Sequence, residues 1–226
     1  MNKHLDSKLS ALFGLGMAAG VAYAMRVRPS LLNWGATEDE SEMHLLGDDL
    51  APNCRYRATR AVTINAPVEK VWPWLVQIGQ DRAGFYSYSW LENLFLADMR
   101  NADEIVPEFQ ERRVGDTVWL ANPQRYGGRA RMVVAALEPY RSLALVMPQD
   151  MGRLEEGETA VYGCWSFHVR SLHGGRTRLL VRSRAGDYSS LPHMVFEFLV
   201  FDPAHFVMER KMMLGIKERA ERALAS

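Results

Sequence analysis

Residues 160–184 read AVYGCWSFHVRSLHGGRTRLLVRSR. Ala160–Arg170 alternates in a period of two. That places Trp165, Phe167 and Val169 on one face, and Cys164, Ser166, His168 and Arg170 on the other. Thr177–Arg184 repeats the pattern, with Leu179, Val181 and Ser183 opposing Arg178, Leu180, Arg182 and Arg184. His173-Gly174-Gly175 between them has the composition of a hairpin turn. One face is mostly apolar and the other mostly polar, the signature of an antiparallel sheet covered on one side. His168, on the polar face, is expected to be exposed.

Further strands are read at Asp116–Ala121, Arg129–Leu137, Ser142–Met147 and Arg57–Ile64, each bounded by turn formers. After Ile64, Asn65-Ala66-Pro67 starts a helix with proline in its first turn, and Val71, Trp72, Leu75 and Val76 share a face. Pro73 marks a kink or a later start. Tyr86–Phe95 reads as a second short helix. The cover for the sheet comes last. Asp202 is an N-cap residue and Pro203 a first helical residue, and the helix runs to Ala223 with a stripe of Met208, Met212, Ile216, Ala220 and Ala223. Consecutive strands beside a long terminal helix define an α+β fold, not a parallel α/β sheet.

The totals narrow the function classes. The chain has 226 residues, 48% apolar and 24% charged, which suits one domain of ordinary size or one domain plus a targeting segment. Its 27 basic and 27 acidic residues cancel, so it lacks the positive excess of a nucleic-acid binder. Two cysteines, Cys54 and Cys164, are too few for a disulfide scaffold. No HExxH or CxxC spacing, serine-hydrolase elbow or P-loop occurs, so neither a metal nor a cofactor is implied.

Residues 1–28 form a hydrophobic N-terminal segment. Leu9–Met25 carries no charge, and as a helix it would span about 25 Å. It reads as a single membrane anchor, as a signal peptide cleaved near Ala24, giving a secreted or periplasmic protein, or as a helix packed on the domain. The flanking charges, Lys3 and Lys8 before it and Arg26 and Arg28 after it, do not assign a side. Gly16 and Gly20 would form a small-residue face for a homodimer. Gly14-Leu15-Gly16-Met17-Ala18-Ala19 mimics a dinucleotide motif, but no strand precedes it, so a nucleotide site is rejected. Residues 29–54 read as a solvated linker, its acids Glu38, Asp39, Glu40, Asp48 and Asp49 included. The domain occupies 55–226.

This order resembles the helix-grip fold of the START and Bet v 1-like superfamily, also called SRPBCC or the polyketide cyclase/dehydrase and lipid-transport group. Trp34-Gly35-Ala36-Thr37, Gly47-Asp48-Asp49, Ala66–Leu75, Arg82–Tyr88 with Trp90–Asn93, and Pro203–Lys211 look like a bacterial branch of it. The resemblance covers about Tyr56 to Ala223. It implies a curved antiparallel sheet around the terminal helix and an apolar cavity between them. It carries over no catalytic residue set.

Candidate ligand-binding residues follow from those faces. Trp165, Phe167, Val181, Met208 and Met212 would line a pocket, and ordinary core packing would account for the same residues. Phe85, Tyr86, Tyr88 and Trp90 form an aromatic cluster that would orient a ligand or pack on the sheet rim. Asp81 and Arg82 would hold a polar group or form a surface ion pair. Glu92, Asn93, Asn101 and Asp103 lie near the expected cavity mouth. Glu92, Tyr86 and His205 are the candidates for acid–base chemistry, set against a solvated loop and a histidine satisfied in the core. The first expectation is a non-catalytic protein that binds or transports a hydrophobic small molecule or lipid at a membrane. The rivals are a cyclase/dehydratase-like enzyme on an aromatic or polyketide substrate, and an interaction module with a filled cavity.

Overall fold

A computed structural model of the chain describes residues 20, 22–186 and 190–222. Six strands form one antiparallel sheet: β1 (Tyr56–Ile64), β2 (Thr117–Trp119), β3 (Arg131–Glu138), β4 (Ser142–Val146), β5 (Gly163–Leu172) and β6 (Arg176–Ala185), in the order β1-β6-β5-β4-β3-β2. The hairpin at His173 joins β5 to β6, with Val169 opposite Leu179 and Phe167 opposite Val181. Those side chains are buried in the main core, as the alternation requires. A register shift between Val134 and Ala136 bends β3, as bulges do.

The helices are α1 (Arg28–Leu32), α2 (Glu38–Glu42), α3 (Val68–Val76), α4 (Ser89–Leu94), α5 (Pro148–Glu155), α6 (Leu191–Phe196) and α7 (Asp202–Arg222). The concave face of the sheet packs on α3 and α7 through Ile64, Val71, Leu75, Met212, Met213 and Ile216. This is the helix-grip arrangement. Pro67 is the N-cap of α3 rather than its first residue, so the helix starts one position later than the sequence suggests, and Pro73 lies inside it. The helix expected from Tyr86 begins only at Ser89, because Tyr86 has a φ of 57° and breaks the chain direction.

The terminal helix differs from expectation at its start. Asp202 is not a cap. The helix begins at Leu191, capped by the Ser190 side chain, and passes through a π-helical turn at Glu197–Phe201 into α7. Proline at 203 has no N–H and crowds the carbonyl four residues back. The widened turn just before it accommodates both defects without ending the helix. Asp202 is fully buried there and accepts from Arg28 Nε at 2.8 Å.

The outer sheet face is the second difference. It is covered rather than solvated, and the cover is residues 34–54. The Arg182 guanidinium donates to Thr59 Oγ1, to Asp48 Oδ2 at 2.5 Å, and to the carbonyls of Glu40, Ser41 and Met43, so all its N–H groups are used. Arg178 forms a two-pronged pair with Glu40 at 2.7 and 2.8 Å. Thr37 and Glu40 close a capping box on α2. The acids read as solvated are therefore, at Glu40 and Asp48, the counter-charges of sheet arginines. His168 is buried between Ser142 and Ser166, each 3.0 Å away, and burial pushes its pKa down to about 4. A small second core of Ala51, Cys54, Ala144, Val146, Ala160 and Cys164 lies beneath the same cover, with α5 packed on it. Cys54 and Cys164 are both buried and form no bridge.

Among the described residues no helix is long and apolar enough to cross a membrane. Most of Leu9–Met25, including Gly16, lies outside the described residues, as does Ala223.

Candidate functional site

Between the sheet and α7 lies a cavity of about 360 Å³. The sheet contributes Trp165 from β5 and Met132 from β3, with Met147 following β4. The loop before α4 contributes Phe85, and α7 contributes Met208 and Met212. The aromatic wall is continuous. Phe85 lies 6.0 Å from Trp165, Trp165 lies 6.4 Å from His205, and His205 stacks at 5.5 Å on Phe201. Flexible thioethers opposite flat rings make a wall that adapts to a ligand's shape.

The polar groups enter from two sides. Glu209 is 3% exposed and lines the cavity. Its Oε1 accepts from Trp165 Nε1 at 2.8 Å and from Ser183 Oγ at 3.4 Å, while Oε2 takes Arg60 Nη1 of β1. Arg60 is fully buried and its Nε donates to the carbonyl of Leu31 at 2.8 Å. Glu209 is thus a compensated charge that fixes the Trp165 ring. His205 sits one turn earlier on the same face, its Nε2 3.6 Å from Glu209. Burial lowers the His205 pKa despite the opposing pull of Glu209, so the ring is neutral at pH 7. Glu92 of α4 accepts from Ser87 Oγ at 2.6 Å. Burial raises its pKa and that hydrogen bond only partly offsets the rise. Four side chains that line the cavity carry a buried atom with no hydrogen-bond partner: Tyr56 Oη, Glu92 Oε2, Arg184 Nε and His205 Nδ1.

The structure brings together Phe85, Glu92, Trp165, His205, Met208 and Met212. It places the other candidates elsewhere. Phe167 and Val181 are fully buried in the core beyond the cavity wall. Tyr86 is turned away, its hydroxyl donating to the Trp74 carbonyl at 3.0 Å, which leaves no free phenol for acid–base work in the cavity. Tyr88 packs against Trp90 and Lys211, and Trp90 is exposed. Asp81 is exposed, and Arg82 donates to the carbonyls of Phe109 and Glu111. Asn93 binds the backbone of Met99, Asn101 that of Tyr86 and Ser87, and Asp103 pairs with Arg219. Glu209 and Arg60 were missed. The available signal was a carboxylate at 209 in line with His205, Met212 and Ile216 on the buried stripe of the helix.

No family model and no curated protein matches the chain. Solved structures do. The Zhui aromatase/cyclase from Streptomyces sp. R1128 is 17% identical, over 75% of this chain and 95% of that one, with a TM-score of 0.42. A polyketide-cyclase-like protein from Corynebacterium glutamicum is 16% identical, over 75% and 91%, at 0.33. The Aha1 dimer from Colwellia psychrerythraea is 16% identical, over 74% and 96%, at 0.38.

Proposed function

We propose that the chain binds a mainly apolar small molecule or lipid carrying one or two polar groups. The observation that carries this reading is the pairing of an apolar cavity with unsatisfied polar atoms on its lining side chains, Glu92 Oε2 and His205 Nδ1 among them. An unpaired buried polar atom costs about 1–3 kcal/mol, and a ligand group that meets it removes that cost. A volume of about 360 Å³ is at the small end of ligand pockets. Native mass spectrometry of the full chain, purified gently from its own cells, tests the reading. A retained apolar mass is expected, and Met208→Trp, which fills the cavity, is expected to abolish it. A bare wild-type protein that also fails to bind anilinonaphthalene sulfonate sinks the idea.

A second reading rests on one observation. Glu92 is shifted toward its acid form and His205 toward its neutral base, on the wall of one cavity. Such a pair suits proton transfer in a cyclisation or dehydration. Unchanged turnover of a confirmed substrate in Glu92→Gln and His205→Gln variants would exclude it.

A further inference from the structure

Residues 191–201 read LPHMVFEFLVF and form a helix with almost no polar surface. Leu191, Met194, Val195, Phe196, Leu199 and Val200 are all exposed, Leu191 at 68% and Phe196 at 54%. They point around most of the helix circumference, so no single buried stripe accounts for them. The helix's titratable groups are His193 and Glu197, 3.2 Å apart on one side. A helix apolar nearly all round belongs in a core or in lipid, and among the described residues no core buries this one.

Two neighbouring features say what covers it. The uncharged run Leu9–Met25 ends against this helix. Tyr23 packs on Phe198 at 5.0 Å and its hydroxyl donates to the Phe198 carbonyl, with Met25 and Val27 exposed beside it. Arg26, also exposed, follows at once, a cation placed to meet anionic headgroups. We propose that residues 191–201 dock into one leaflet of a lipid bilayer. At about 16 Å the helix is too short to span the hydrocarbon core of about 30 Å, so it inserts without crossing. Phe201, at its end, lines the cavity and also a second hollow of about 430 Å³, which shares Tyr56, Tyr162 and Ala185 with the cavity and runs along His193 and Glu197. The docked helix therefore sets the cavity mouth at the lipid surface. This goes beyond ligand binding and does not depend on it.

The test uses the full chain with phosphatidylcholine–phosphatidylglycerol vesicles. An environment-sensitive nitrobenzoxadiazole label is placed at Val195→Cys or Leu199→Cys, and at Ser171→Cys in the opposite hairpin as control. The native thiols are buried. Vesicles are expected to shift the Val195 and Leu199 labels to the blue and brighten them several-fold. Nitroxide lipids should quench them, while the Ser171 label stays unchanged. The paired change Phe196→Glu with Leu199→Glu, at exposed positions, is expected to abolish quenching of the Val195 label and leave far-ultraviolet circular dichroism intact. A chain that floats with vesicles while its Val195 and Leu199 labels stay in water overturns the proposal, and so does a chain that does not float. A label already shielded without lipid, in a particle of twice the mass, overturns it in favour of a second copy. Met208→Trp is expected to leave insertion unchanged, so this proposal and the ligand reading fail separately.

Discussion

Trp165 Nε1 donates to Glu209 Oε1 at 2.8 Å and so fastens the sheet wall of the cavity to the helix opposite. The same carboxylate neutralises Arg60, so one side chain holds β1, β5 and α7 together. Removing one member of a buried pair strands the other charge, at a cost of about 3–5 kcal/mol. Glu209→Gln is expected to lower stability by that amount in urea unfolding. Arg60→Met combined with Glu209→Met is expected to lose much less.

His168 gives the stability a pH slope. Its ordinary value is 6.5 and burial depresses it to about 4 in the fold. Between those values the unfolded chain takes up a proton that the folded chain refuses. Stability is therefore expected to fall as the pH drops from about 6.5 through about 4, by about 3 kcal/mol in all. Urea midpoints at neutral and mildly acidic pH measure this, and His168→Gln should flatten the slope over that range.

Gly215 is a packing requirement. A Cβ there would stand 2.3 Å from the Tyr86 carbonyl oxygen, in backbone that cannot give way cheaply. Tyr86 is itself held at a positive φ, with its hydroxyl on Trp74 and Arg219 5.0 Å over its ring. Gly215→Ala is expected to cost about 1–3 kcal/mol or more, read as a lower melting temperature.

The Ser87 hydrogen bond is the force opposing the upward shift of Glu92. Ser87→Ala is expected to raise the Glu92 pKa further, followed by NMR titration of carbon-labelled glutamate. An unmoved titration would mean that the Glu92 carboxyl is solvated.

The concave half of the fold was legible because alternation in 160–184 and the stripe at Met212, Ile216 and Ala220 each report one buried face. Trp165, Met208 and Met212 follow from that, whereas Phe85 comes from the aromatic cluster at 85–90. The convex half was not legible. Arg178, Arg182 and His168 look solvated in a strand pattern, since a local period says nothing of partners more than a hundred residues away, such as Glu40 and Asp48. The start of the last helix was hidden for a related reason. Asp-Pro is a cap signal wherever it occurs, and only the π-turn before it lets the helix continue. Tyr86 misled because its positive φ redirects the side chain from the cavity to Trp74.

The clasp on Arg182 has a consequence for synthesis. Residues 40–48 leave the ribosome early, whereas Arg182, on β6, follows more than a hundred residues later. The docking partner of residues 40–48 does not exist until almost the whole sheet has been translated. Until then Cys164, Ser166 and His168 lie open on the convex face. A nascent chain halted before β6 would leave that face exposed, the state in which an unfinished domain most needs a chaperone.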